Sequence, residues 1–159
     1  MSDKPNILVI GEIDRTEFSR VRDWLHQIVP AATVQISEGF EGRRGIHDEW
    51  LENPLFDPDL VIICQSWPDE FPAAEVTSAF GRWPLALWVC CYGAWCASDG
   101  RTRSIWPISV RVSVSEAEPR LSHVWRVLTE QRGEPLPLTA SRDEAFEFDH
   151  CLTTPVVRP

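Results

Sequence analysis

The chain has no cluster of lysines and arginines: its 15 basic residues are scattered among 24 acidic ones, leaving a net charge of −9 at pH 7. That removes the electrostatic footprint of nucleic-acid binding, and an anionic membrane surface would repel the same charge. Direct contact with nucleic acid or membrane is therefore not expected. Residues 1–6 lack an apolar signal core, and the longest nearly apolar run, 84–97, is too short to span a bilayer as a helix. A soluble, cytoplasmic protein is expected. Paired C-x-x-C spacing is also absent, and the five cysteines are an odd number, so reduced thiols are expected rather than a zinc ribbon. No internal repeat is visible.

At 159 residues the chain has the size of one domain with a full core. Residues 60–64, Leu-Val-Ile-Ile-Cys, form an apolar run that opens after Asp57-Pro58-Asp59 and closes at Gln65-Ser66-Trp67-Pro68, the pattern of a strand buried on both faces. Similar runs at 7–10 and 85–91, with helical patterns between, predict a doubly wound α/β fold around a five-stranded parallel sheet. Such sheets bind ligands at the carboxyl ends of their strands, here Gly11-Glu12, Cys64-Gln65 and Cys90-Cys91.

In chain order, Asp14 and Glu17 have capping-box spacing, and Phe18, Val21, Leu25 and Ile28 give the following helix one apolar face before Pro30. Residues 33–37 suggest a short second strand. A charged, glycine-rich loop then leads to a brief helix with Ile46, Trp50 and Leu51. Pro72 can open a further helix whose Ala73, Val76, Ala79 and Phe80 face inward. From 92 to 107 no helical period persists, so a crossover helix there is short or missing. Ile108, Val110, Val112 and Val114 alternate with Ser109, Arg111 and Ser113, predicting an edge strand with one wet face. A last helix, with Pro119 near its start and Leu121, Val124, Trp125 and Leu128 as its stripe, ends at Gly133. Residues 133–159 read as an extended, proline-containing tail, with a helical turn or two after Ser141 where Glu144 completes a capping box.

This order of elements, with Pro58-Asp59-Leu60-Val61-Ile62-Ile63 before a Trp-Pro turn, resembles the receiver domain of bacterial response regulators across residues 5–132. The resemblance implies a receiver or flavodoxin-like fold. It also places the phosphorylation chemistry: the phosphoacceptor aspartate falls on Cys64, the acidic pair on Gly11 and Glu12, the Thr/Ser near Val89 or Cys90, and the Lys-Pro near Val114-Ser115. A thiol and a glycine cannot replace a carboxylate nucleophile and the hard oxygen ligands of Mg²⁺. What the resemblance implies is an atypical, phosphorylation-independent and non-enzymatic module that binds another protein.

The alternative is a thiol-dependent enzyme or a redox or metal sensor built on Cys64, Cys90 and Cys91, which all stand at strand ends. Against it, buried cysteines are commonly only small apolar core residues. Cys96 and His150-Cys151 add no recognised metal spacing, and Glu12, Asp14 and Asp69 have the character of solvated loop acids. The first loop, Gly11-Glu12-Ile13-Asp14-Arg15, matches no dinucleotide, flavin-phosphate or thiol-phosphatase motif, so no cofactor is expected. Eight tryptophans are many for this length, and some are expected on a contact surface. Trp95, Trp106, Ser109, Arg111 and Ser113 are the candidates, and pairing of two copies across them predicts a homodimer.

Overall fold

The computed structural model describes residues 4–40, 56–98 and 105–153. Its sheet has five strands: β1 (Asn6–Gly11), β2 (Thr33–Ser37), β3 (Leu60–Gln65), β4 (Leu87–Tyr92) and β5 (Arg111–Ser113). They lie in the order β2-β1-β3-β4-β5, all parallel. Helices α1 (Ser19–Ile28), α2 (Ala73–Arg82), α3 (Ala117–Glu130) and α4 (Arg142–Thr153) complete the described architecture.

Side chains alternate across each strand, and in a parallel sheet both faces need cover, so every residue of β3 is buried. Ile7, Val9, Leu60, Ile62, Cys64, Val89 and Cys91 meet α1 and α3 through Val21, Leu25, Leu121 and Val124. Trp24 ties these two helices together, donating its indole N–H to Ser122 Oγ at 3.1 Å and meeting Trp125 edge-on. On the other face Leu8, Ile10, Val61, Ile63, Trp88 and Cys90 pack under α2. Trp106 completes that layer against Phe80, Trp88, Phe40 and Phe71.

Between β4 and β5 the described residues form only 3₁₀ turns, Ala94–Cys96 and Ile108–Val110, in agreement with the missing helical period. Trp106 packs on this face of the sheet with Cys90 and Val110. The brief helix expected near Ile46, Trp50 and Leu51 lies outside the described residues.

Four expectations need correction. Arg15 rather than Asp14 stands at the helix start, which opens as a 3₁₀ turn without a side-chain cap. The Arg22 guanidinium steadies this loop instead, donating to the carbonyls of Ile13 at 2.7 Å and Arg15 at 2.8 Å. Ala73 is exposed, because α2 begins at that residue and turns it away from the sheet. The edge strand is cut to Arg111–Ser113, since Pro107 leads into a 3₁₀ turn, and that turn rotates Ser109 inward beside Val110. Finally, the helix after Ser141 is longer than the turn or two expected: α4 has 12 residues.

The capping box that starts α4 forms as expected. Glu144 Oε2 accepts the Ser141 N–H at 2.6 Å, and Ser141 Oγ accepts the Glu144 N–H at 3.3 Å. Ala145 is buried, and Arg120 of α3 binds Asp149 of α4, so this part of the tail belongs to the body of the fold.

Candidate functional site

The carboxyl ends of β1, β3 and β4 meet where the strand order turns, with Gly11 beside Cys64 and Cys64 beside Cys91. Gly11 has φ +117, and a Cβ there would run into the Cys64 carbonyl oxygen. Glycine is required by both counts, since an L side chain rarely adopts that conformation. An acid at this position would need the backbone to move.

Glu12 points out into a partly exposed ion pair with Arg15 Nε at 2.7 Å. Val114 packs at the rim of the core, its N–H donated to the Tyr92 carbonyl oxygen at 3.1 Å. The five positions singled out by the receiver resemblance therefore supply one carboxylate, Glu12, two thiols and two residues without polar side-chain groups.

The three strand-end thiols do not form one cluster. Cys64 and Cys91 face α1 and α3, whereas Cys90 faces the α2 layer, because neighbouring residues of a strand point to opposite faces. All three are buried. Burial pushes the Cys64 and Cys90 thiols well above their ordinary value, with neighbouring thiols adding to the effect, and pushes Cys91 up to about 12. Cys90 Sγ lies 3.6 Å from Gln65 Oε1, and Cys96 Sγ lies 4.0 Å from the Gln65 carbonyl oxygen. These are weak contacts of core thiols, and the opposing pull of Arg111 on Cys90 and of Arg120 on Cys91 is smaller than the effect of burial. Among the described residues, no group of three His, Cys, Asp or Glu side chains could hold a metal ion.

The expected interaction patch is also divided. Trp95 is 81% exposed, but Trp106 and Ser109 are buried. Arg111 is half-buried: it donates to the Cys96 carbonyl at 2.6 Å and its guanidinium lies 4.4 Å over the Tyr92 ring. Ser113 is half-buried and shares a hydrogen bond with Ser115. Beside them, Arg142, Ala145, Phe146 and Asp149 of α4 share a pocket with Ile108, Arg111 and Ser113.

What the strand ends do present is an open cleft of about 650 Å³, lined by Asp14, Arg15, Glu17, Ser66, Trp67 and Trp95 among others. Arg15 lies with its guanidinium 4.4 Å from the Trp67 ring centroid. Ser66 is held from below: its N–H is donated to Glu70 Oε2 at 2.6 Å. Burial raises the Glu70 carboxyl above its ordinary value, while hydrogen bonds from the Ser66 and Trp67 backbone oppose that shift. The Glu17 carboxylate lies against Gly93 at the end of β4, where a Cβ would displace it.

Sequence reasoning located this edge of the sheet but not the grouping of Arg15, Glu17, Ser66 and Trp67. Its only trace is that they stand on the loops after β1 and β3. Arg120 was also missed, although it shares a helical face with Ala117, Leu121 and Val124, where a cation is unexpected.

The sheet order and the two covered faces define a protein of flavodoxin-like α/β fold. Comparison with known proteins gives no family model, curated relative or solved structure that matches the chain. No described helix is long and apolar enough to cross a membrane.

Proposed function

We propose that this chain is a receiver-like protein-interaction module of bacterial signalling or regulation that works without phosphorylation and without catalysis of its own. The observation that carries the reading is the packing of Gly11 on the Cys64 carbonyl. At the place where a receiver needs acids and a nucleophile there is close backbone contact and a core thiol of raised pKa. The thiol-dependent alternative is not favoured, because all three strand-end thiols are buried and burial raises their pKa, which makes them poor nucleophiles.

A partner is supported by the exposed side chains at the same edge. Trp95 and Trp67 are large aromatic surfaces beside an arginine, the residue types that dominate binding energy at interfaces. The test is to add Mg²⁺ with beryllofluoride, and separately acetyl phosphate, while recording amide resonances and intact mass. Unchanged spectra and mass are expected. A phosphoryl adduct, or Mg²⁺-dependent shifts centred on Gly11 and Cys64, would overturn the proposal.

A further inference from the structure

The strand-end cleft carries a charge and a chemistry that narrow the kind of partner. Its only cation among the described lining side chains, Arg15, is paired to Glu12 at 2.7 Å, while Asp14 and Glu17 also line the cleft. The chain as a whole has a net charge of −9. A positive group approaching this edge is attracted and an acidic one repelled.

Two aromatic faces stand in that field, and one is already in use. Arg15 lies over Trp67 and is held there by Glu12, a cation between an indole and a carboxylate. Trp95, 81% exposed, supplies a second indole in the same cleft as Glu17 and Asp14. A solvent-exposed tryptophan face beside carboxylates is suited to an ammonium or guanidinium group.

The floor of the cleft adds an independent sign. Ser66 is 3% exposed, and its Oγ has no hydrogen-bond partner among the described residues. A buried hydroxyl normally has a partner, and Ser66 lines this cleft, so a small turn of its side chain would offer the hydroxyl to a donor bound there.

We infer that the cleft takes a basic segment of a protein partner, with an arginine or lysine side chain over Trp95, the Asp14 and Glu17 carboxylates flanking its charge, and a donor reaching Ser66. This rests on the interaction-module reading and names the chemistry of its partner. Arginine is the better fit, because its planar group can lie on an indole while several N–H donors remain for carboxylates and a hydroxyl.

The probe is a labelled peptide, Gly-Ser-Arg-Arg-Ser-Gly, compared with versions carrying glutamine or glutamate in place of both arginines. Binding is followed by fluorescence anisotropy and by the indole N–H resonances of the full chain. The arginine peptide is expected to bind saturably, to shift the Trp67 and Trp95 resonances above the other indoles, and to weaken with added salt. Trp95→Ala, a change at an exposed side chain, should weaken binding about tenfold, as loss of a hot-spot residue does. Asp14→Asn with Glu17→Gln should weaken it several-fold while Trp95 stays in place.

Absence of those shifts, equal binding of the glutamine peptide, or unchanged affinity in Trp95→Ala would overturn the inference. Preferential binding of the glutamate peptide at the same indoles would overturn it too, yet leave a protein-binding cleft. The module reading itself fails in a different measurement, the response to beryllofluoride and Mg²⁺.

Discussion

Arg120 on α3 grips Asp149 on α4 with two parallel hydrogen bonds, Nε to Oδ1 and Nη2 to Oδ2, each 2.7 Å long. Its third contact, Nη1 to the Ser109 carbonyl at 2.6 Å, anchors the 3₁₀ turn before β5. One buried guanidinium thus joins the tail helix, the last body helix and the edge of the sheet, with Phe148 lying across it. A cation 3% exposed is tolerated only because both of its partners are in place.

Removing one partner should cost more than removing the pair. Asp149→Ala leaves Arg120 buried without its carboxylate and is expected to destabilise the protein by about 3 kcal/mol. The double change Arg120→Leu with Asp149→Leu should recover part of that loss. Urea unfolding of the three proteins checks it: equal destabilisation by the single and double variants would show that leaving Arg120 unpaired carries no penalty of its own.

Thiol accessibility gives a second test. Cys64, Cys90, Cys91 and Cys96 are buried and Cys151 is exposed, so a thiol reagent at neutral pH should modify one group quickly in the native protein. The other four should react only on unfolding. Cys64→Ala should lower stability by about 1 kcal/mol or more through lost burial. Fast modification of Cys64, identified by peptide mass, would restore the thiol-dependent reading.

The turn at Gly11 predicts a strong backbone effect. Gly11→Ala places a Cβ at φ +117 against the Cys64 carbonyl and should cost about 2 kcal/mol or more. By the same contact, Gly11→Asp should lower the melting temperature without conferring Mg²⁺ binding. Calorimetry with and without Mg²⁺ distinguishes the outcomes, and a metal-dependent rise in melting temperature would contradict the argument.

Glu70 should make stability depend on pH in an unusual direction for a carboxylate. Its folded pKa is raised, chiefly by burial, so the folded protein holds this proton at pH values where the unfolded chain has released it. Stability from this group is therefore present below the ordinary carboxylate pKa and declines as pH rises through the raised value. Glu70→Gln should keep an acceptor for the Ser66 N–H and remove that decline. Melting temperatures of both proteins across the acid range provide the check, and parallel profiles would refute the assignment.

The amino-acid sequence by itself determined the sheet and its layers. Runs such as Leu60-Val61-Ile62-Ile63-Cys64 have no polar face and can be satisfied only between two layers, and the stripes of α1 and α3 state which helical face turns inward. The capping box of Ser141 and Glu144 was equally legible, because its partners are three residues apart. Tertiary structure alone decided which tryptophans are core and which are surface. Trp95 and Trp106 are alike as residues, but one sits on a short turn facing solvent and the other meets Phe80 and Trp88. Only the fold could separate Cys90 from Cys64 and Cys91, seat Arg120 on Asp149, or bring Glu17, Ser66 and Trp95 into one cleft. Local pattern reports periodicity along one element, whereas each of these relations depends on chain segments far apart in sequence that meet only when the sheet closes its neighbours together.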